Sequence, residues 1–284
     1  MATLTYLQFH LAFLVPAVML LVATGFVSRA RIGEDGTAWS GAGLRRYWIG
    51  VGIVTVVAVA YTTPWDNFLI ARGVWWYGDG TTIATVGHAP IEEYLFIVVQ
   101  PWLTALWLSH LSVPTTWPVA DRSVGSRLLA LALAAGIGLA GWRMLSLDAT
   151  FYLGAILAWA APVLGLQWLV GAPQLWARRR LVAAGTLPPV LYLCIADRIA
   201  IELGIWVLSE QYTTGLSILG LPIEEAAFFL VTNLFVVQGL VLYRPVVAEL
   251  LSSDSAPGAA WRRRLRTLGI DLDPDPDFDL DFDQ

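Results

Sequence analysis

The chain has 284 residues, 57% of them hydrophobic and 14% charged, with a mean hydropathy of +0.65 and a formal charge of −5. Soluble domains carry about 25% charged residues, so this composition excludes an ordinary soluble domain, and the acidic balance gives no reason to invoke nucleic acid. The apolar residues stand in blocks close to the about 20 residues that a helix needs to cross a bilayer core of about 30 Å, and alternating barrel strands are absent.

Seven apolar spans follow one another: Leu4–Val27, Tyr47–Thr63, Ile91–Leu111, Leu128–Met144, Phe151–Val170, Leu187–Val207 and Ile223–Tyr243. Lipid offers backbone groups no partners, so each is expected to be a helix. The first carries His10 and Pro16 without a small-residue cleavage site and reads as a retained helix, not a signal peptide. The fourth contains Gly136-Ile-Gly-Leu-Ala-Gly141. That run matches a dinucleotide fingerprint formally, but no strand precedes it, and it reads as helix packing. Cys194, the single cysteine, lies in the sixth span and reads as a small buried hydrophobe. The last fourteen residues, Asp271–Gln284, hold seven aspartates at every second position, a solvated tail that cannot build a core.

The chain has two matched halves. Asp66 opens D-N-F-L-I-A-R-G-V-W, and Asp197 opens D-R-I-A-I-E-L-G-I-W, with aspartate, glycine and tryptophan at one spacing. Pro90-Ile91-Glu92-Glu93 returns as Pro222-Ile223-Glu224-Glu225. Upstream, Tyr6 and Pro16 are ten apart, as are Tyr152 and Pro162. The expected fold is therefore all-α and membrane-integral, with about seven transmembrane helices in two parallel three-helix repeats joined by a connector helix. Residues 1–112 would form the first repeat, 113–147 the connector, 148–244 the second repeat and 245–284 a cytoplasmic tail. Equivalent helices lie an even number of spans apart, so both Pro-Ile-Glu-Glu motifs start helices at one face.

Carboxylates near a helix start suit the helix dipole, and proline suits its first turn, so one such motif alone would be structural. Two copies leading into lipid depth, where an ionisable group is costly, point to function. Glu92, Glu93, Glu224 and Glu225 are the candidate catalytic groups, supported by Asp66, Asp197 and Glu202. Adjacent glutamates point about 100° apart on a helix, so at most one of each pair can face a shared cavity. The other is expected to hold a neighbour such as Arg198 or Asn67. Clustered carboxylates in a dry site cannot all ionise, and a protonated acid beside an ionised one is an acid–base pair. Trp75, Trp76 and Trp206 lie close to the acids, and indole faces stabilise cations by about 2 kcal/mol when desolvated. Acid plus aromatic wall is what carbocation chemistry on a hydrocarbon needs. His10, His88 and His110 show no metal-ligand spacing, and no metal is expected.

This pattern resembles the membrane lycopene cyclase family of haloarchaea, actinobacteria and fungi, in which two similar halves occur as separate subunits or fused. The resemblance covers nearly all of the chain except the acidic tail, and both Pro-x-Glu-Glu motifs fall in order. It implies that a carboxylic acid protonates the terminal double bond of lycopene, that the next alkene closes a six-membered ring, and that a carboxylate removes a proton to leave a β-ring. Two turnovers would give β-carotene through γ-carotene, a net isomerisation for which no cofactor is expected. The implied partners are a carotenoid and the lipid bilayer. A carotenoid hydratase could use the same cation, and a carboxylate-coupled transporter is a further alternative, although its acids should lie at mid-bilayer. A retinal protein needs a lysine, and this chain has none.

Counted from an external N-terminus, fourteen arginines fall in would-be cytoplasmic segments and only Arg72 and Arg143 on the opposite side, with Arg198 inside a helix. The positive-inside rule then puts the C-terminus in the cytoplasm. Reporter fusions should be active at the C-terminus in a cytoplasmic reporter only; an external signal there would invert the whole arrangement.

Overall fold

The computed structural model describes residues 4–32, 41–111, 113 and 124–252. Helix α1 (Tyr6–Phe9) runs through a π-helical stretch (His10–Leu14) into α2 (Val15–Ile32), and these form the first rod. The others are α3 (Gly41–Arg72), α4 (Ile91–Leu108), α5 (Val124–Met144), α6 (Phe151–Ala177), α7 (Arg179–Glu202) and α8 (Ile223–Ser252). By length and composition, six of the seven rods can cross a membrane. The remaining one, α4, is 18 residues long and carries Glu92 and Glu93 in its first turn. Outward side chains such as Leu20, Val56, Leu133 and Leu191 are more than half exposed, as lipid-facing residues are. The acidic tail expected over Asp271–Gln284 lies outside the described residues.

The spans differ from the apolar blocks at their polar ends. The sixth was expected to run to Val207, but α7 stops at Glu202. The reason is Gly204, at φ +69°, matched by Gly73 at φ +76° after α3. Both close a Schellman cap: Val74 N–H donates to Leu69 O at 3.0 Å, and Ile205 N–H to Ala200 O at 3.0 Å. The repeated Asp…Gly-x-Trp run is thus a helix end with its glycine stop, and the tryptophan begins a strand. Each half then carries the same rim, β1 (Trp75–Tyr77), β2 (Thr85–Val86) and β3 (Ala89–Pro90) in the first and β4 (Trp206–Leu208), β5 (Ser217–Ile218) and β6 (Leu221–Pro222) in the second. β2 pairs with β3 and β5 with β6 as small hairpins that deliver the chain into α4 and α8.

The two halves meet through β1 and β4, which pair antiparallel with Trp75 opposite Leu208, Trp76 opposite Val207 and Tyr77 opposite Trp206. Trp76 and Val207 are repeat-equivalent, ten residues after Asp66 and Asp197. The register is therefore symmetric about them, and a pseudo-twofold axis passes between the strands. The ladder continues evenly on both sides, with Ser209 N–H on Val74 O at 2.8 Å and Gly78 N–H on Ile205 O at 3.0 Å. Both motif helices start at this rim and run away from it, which gives the parallel repeats.

Connector helix α5 packs along α6, and the glycine-rich run is where they touch. A Cβ at Gly141 would lie 2.5 Å from Ala158 N and 2.8 Å from Gly154 O, and one at Gly138 2.9 Å from Ala161 Cβ, whereas Gly136 has nothing within 4 Å. Overpacking a tight helix contact costs about 1–3 kcal/mol or more. Gly141→Leu should therefore lower the melting temperature in detergent by several degrees or abolish folded yield, while Gly136→Leu should change neither.

Candidate active site

Where the two rims meet, a cavity lies between the halves. Glu93, Glu225, Asp66, Asp197, Trp75 and Trp206 all line it, and among the described residues no arginine, lysine or histidine does. Four carboxyl groups thus share one cavity, and an unpaired buried charge costs several kcal/mol.

Tyrosine hydroxyls hold the two inward glutamates. Tyr6 donates to Glu93 Oε2 at 2.9 Å, and Tyr152 donates to Glu225 Oε1 at 2.8 Å. Tyr6 and Tyr152 open the first helix of each repeat, so the two bonds are related by the pseudo-twofold axis. A third hydroxyl breaks the symmetry: Tyr77 donates to the same Glu93 Oε2 at 2.8 Å, and Trp75 Nε1 donates to the Tyr77 oxygen at 3.2 Å. Burial, and then the charge of Glu93, hold the Tyr77 phenol well above its ordinary range, so it remains a donor. Its repeat-equivalent is Leu208, which lines the cavity without a polar atom. Asp197 accepts from Trp206 Nε1 at 3.1 Å on Oδ1, while its Oδ2 and the Oδ2 of Asp66 are buried with no partner. Aromatic rings pack behind the acids, with Trp206 centred 5.0 Å from Tyr6 and Trp75 5.6 Å from Tyr152.

The neighbouring glutamates turn the other way. Glu92 is buried, and its Oε1 accepts from Ile83 N–H at 2.9 Å. Glu224 is fully buried, and its Oε1 accepts from the backbone N–H and the hydroxyl of Thr214 at 2.7 and 2.8 Å. Each clamps the loop that leads back to its own helix. Asn67 does similar work: its Oδ1 accepts from His88 N–H at 2.7 Å, and its Nδ2 donates to Tyr94 Oη at 3.0 Å. Arg198 pairs with Glu202 at 3.2 Å on an accessible helix face, outside the cavity. Trp76 points outward and is 49% exposed. Of the twelve residues singled out in the sequence, six thus meet in the cavity and six lie around or beyond it. The three tyrosines carried a weaker signal: Tyr6 and Tyr152 stood out as repeat markers, and Tyr77 not at all as a hydrogen-bonding group. Among the described residues, no group of three or more His, Cys, Asp or Glu side chains is spaced to hold a metal ion.

Comparison with known proteins bears on this site. A family model described as "Lycopene cyclase" matches residues 37–111 and 148–241, two segments that each contain one Pro-Ile-Glu-Glu motif. Two Halobacterium salinarum strains have a protein named lycopene beta-cyclase that is 53% identical over 243 residues, covering 84% of this chain and 98% of the relative. A protein of Leptosphaeria maculans named bifunctional lycopene cyclase/phytoene synthase is 36% identical over 220 residues, covering 70% of this chain and 37% of the relative. No solved structure matches the chain.

The clamping geometry makes Glu224 the test of loop anchoring. Glu224→Ala strips the acceptor from two Thr214 donors, and a buried donor left unsatisfied costs about 1–3 kcal/mol. The variant should melt several degrees lower in detergent, whereas Glu224→Gln, which keeps an acceptor oxygen, should melt closer to the parent.

Proposed function

The chain belongs to the lycopene cyclase family, and on that premise we propose that it closes β-rings by passing a proton from Glu225 to the substrate and from the substrate to Glu93. The enzyme is a lycopene β-cyclase; the assignment of the two glutamates is supported by their unequal hydrogen-bond donors. Two hydroxyls meet Glu93 and one meets Glu225. A hydrogen bond to a charged group contributes about 1.5–3 kcal/mol, so the extra donor favours the anion at Glu93 over that at Glu225 by about ten- to hundredfold. Glu93 therefore rests as the carboxylate and Glu225 as the acid.

The reaction balances on these two groups. Glu225 gives its proton to the terminal double bond of lycopene, leaving a tertiary cation. The π electrons of the next alkene form the new ring bond and move the cation to a ring carbon. Glu93 takes the proton from the adjacent carbon, and the remaining electron pair becomes the ring double bond. One proton enters and one leaves, so the product is an isomer, and no oxidant or reductant is consumed. The Asp66 and Asp197 carboxyls line the same cavity and offer the return path that resets Glu225. Trp75 and Trp206 face the cation with indole rings, worth about 2 kcal/mol when desolvated. γ-Carotene, with one open end left, is the substrate of the second turnover. The fourteen-to-two arginine split supports an external N-terminus and an external catalytic rim.

Expression in lycopene-accumulating cells should yield β-carotene of unchanged mass; a product heavier by one water would mean capture of the cation by water, and hydratase activity. Glu93→Gln and Glu225→Gln should each lower ring formation by about 10² or more, the usual contribution of a general acid or base. Glu92→Gln and Glu224→Gln should keep most activity in protein that inserts. Near-normal turnover by both Glu93→Gln and Glu225→Gln would remove the carboxylate mechanism from these residues.

A further inference from the structure

A reacting end occupies the acid cavity, but the rest of a long hydrocarbon must lie somewhere. Two apolar grooves run along the helices. One lies between α3, α4, α6 and α8, and it shares Phe96 and Phe228 with the acid cavity. The other lies between α2, α3 and α4, and it shares no lining residue with that cavity. We infer that the first groove, the seam between α3 and α6, is the binding site for the conjugated chain of the carotenoid, whose end passes Phe96 and Phe228 to reach the acids. This rests on the cyclase reading above.

Three observations carry the inference. First, an aromatic stack leads from the groove to the acids. Tyr61 and Trp159 are centred 5.3 Å apart at 21°, Trp159 and Trp65 4.8 Å apart at 23°, and Trp65 and Phe228 5.9 Å apart at 4°. The stack gives the groove a continuous aromatic wall, against which a polyene gains the dispersion contacts that individually weak atom pairs add up to. Second, several polar groups of the groove are tied to the protein: Gln167 Nε2 donates to Phe235 O at 2.9 Å, Thr232 to Phe228 O at 2.8 Å and Gln100 Nε2 to Thr104 Oγ1 at 3.3 Å, while Gln167 Oε1 and Trp159 Nε1 have no partner among the described residues.

Third, the related seam on the other side of the pseudo-twofold axis is filled. Tyr61 donates to Trp159 O at 2.8 Å across the open seam, and its equivalent Tyr192 donates to Phe13 O at 2.6 Å across the closed one. Leu14, Leu103, Leu193 and Phe229 pack together there as a buried cluster. Toward the far end of α8, Gly239 lines the open groove, and its counterpart in α4, likewise sixteen residues after the motif isoleucine, is Trp107. The repeat has kept two seams and left one of them hollow. A carotenoid can therefore present only one end at a time, and the second ring requires release and re-entry.

The test narrows the open groove without touching the acids. Ala58→Trp on α3 and Val163→Phe on α6 should each cut β-carotene formation from lycopene about tenfold or more, since misplacing a substrate by an ångström has effects of that size. Val22→Trp, in the other groove, should leave it within about twofold. Gly239→Ala guards against misfolding: its Cβ would sit 3.5 Å from Gln167 Nε2 and 3.6 Å from Val54 Cγ2, ordinary contacts, and the rate should still fall. Binding is read separately as the circular dichroism that lycopene, itself achiral, acquires on purified protein. Loss of that signal in Ala58→Trp and Val163→Phe, with unchanged melting temperature, supports the site. Its retention in both, or its loss in Val22→Trp alone, overturns it. A wild-type protein that leaves lycopene unchanged would overturn the cyclase reading, and the dichroism would still decide the groove.

Discussion

The constraint behind the whole arrangement is the gathering of four carboxyl groups in one cavity, three of them buried and Glu93 half-buried, with no cationic side chain among the described residues that line it. An unpaired buried charge costs several kcal/mol. The protein answers with neutral donors. Tyr6, Tyr77 and Tyr152 are placed on Glu93 and Glu225, and Trp206 on Asp197. Arginine partners would have fixed the glutamates as anions. Hydroxyls hold a carboxyl group in place without neutralising it, which makes the cluster buildable.

The rest of the fold serves to bring those donors to the acids. Helix caps at Gly73 and Gly204 stop α3 and α7 so that the chain can turn into β1 and β4. That pairing carries Tyr77 into the first half's site and locks the two rims together. Glu92 and Glu224, adjacent to the two inward glutamates, hold the loops that aim α4 and α8. The same dipeptide thus sends one carboxyl group into the cavity and the other to the loop. The π-helical stretch at His10–Leu14 follows directly after Tyr6 and Phe9, both of which line the cavity, in keeping with the tendency of such bulges to sit at functional sites.

Much of this was legible in the sequence, and the illegible parts have physical reasons. Seven spans could be read because a bilayer fixes helix length, and the internal repeat because two motifs and one aspartate run recur at fixed spacing. The strands could not: β2, β3, β5 and β6 are two residues each, too short for any periodicity. Nor could the choice between Glu92 and Glu93, since neighbours on a helix differ by about 100° and only the loop donors Ile83 and Thr214 decide which one faces inward. Tyr77 was hidden because its repeat-equivalent is Leu208, so the comparison of halves that exposed the glutamates worked against it. Arg198 and Glu202 drew attention as charges beside Asp197, yet they satisfy each other at an accessible edge.

The register of β1 on β4 has a further meaning. Because it is centred on equivalent residues, it is self-complementary: a strand of this kind could pair with a second copy of itself in the same way. A single half, encoded once, could therefore have assembled with its twin into a symmetric vessel holding two identical glutamate–tyrosine pairs. Joining the copies by α5 lifts the requirement that they stay identical. One copy can then acquire a second hydroxyl and the other a leucine, and one lateral seam can fill while the other stays hollow. Gene fusion in such an architecture is the event that allows a symmetric container to become a directional catalyst.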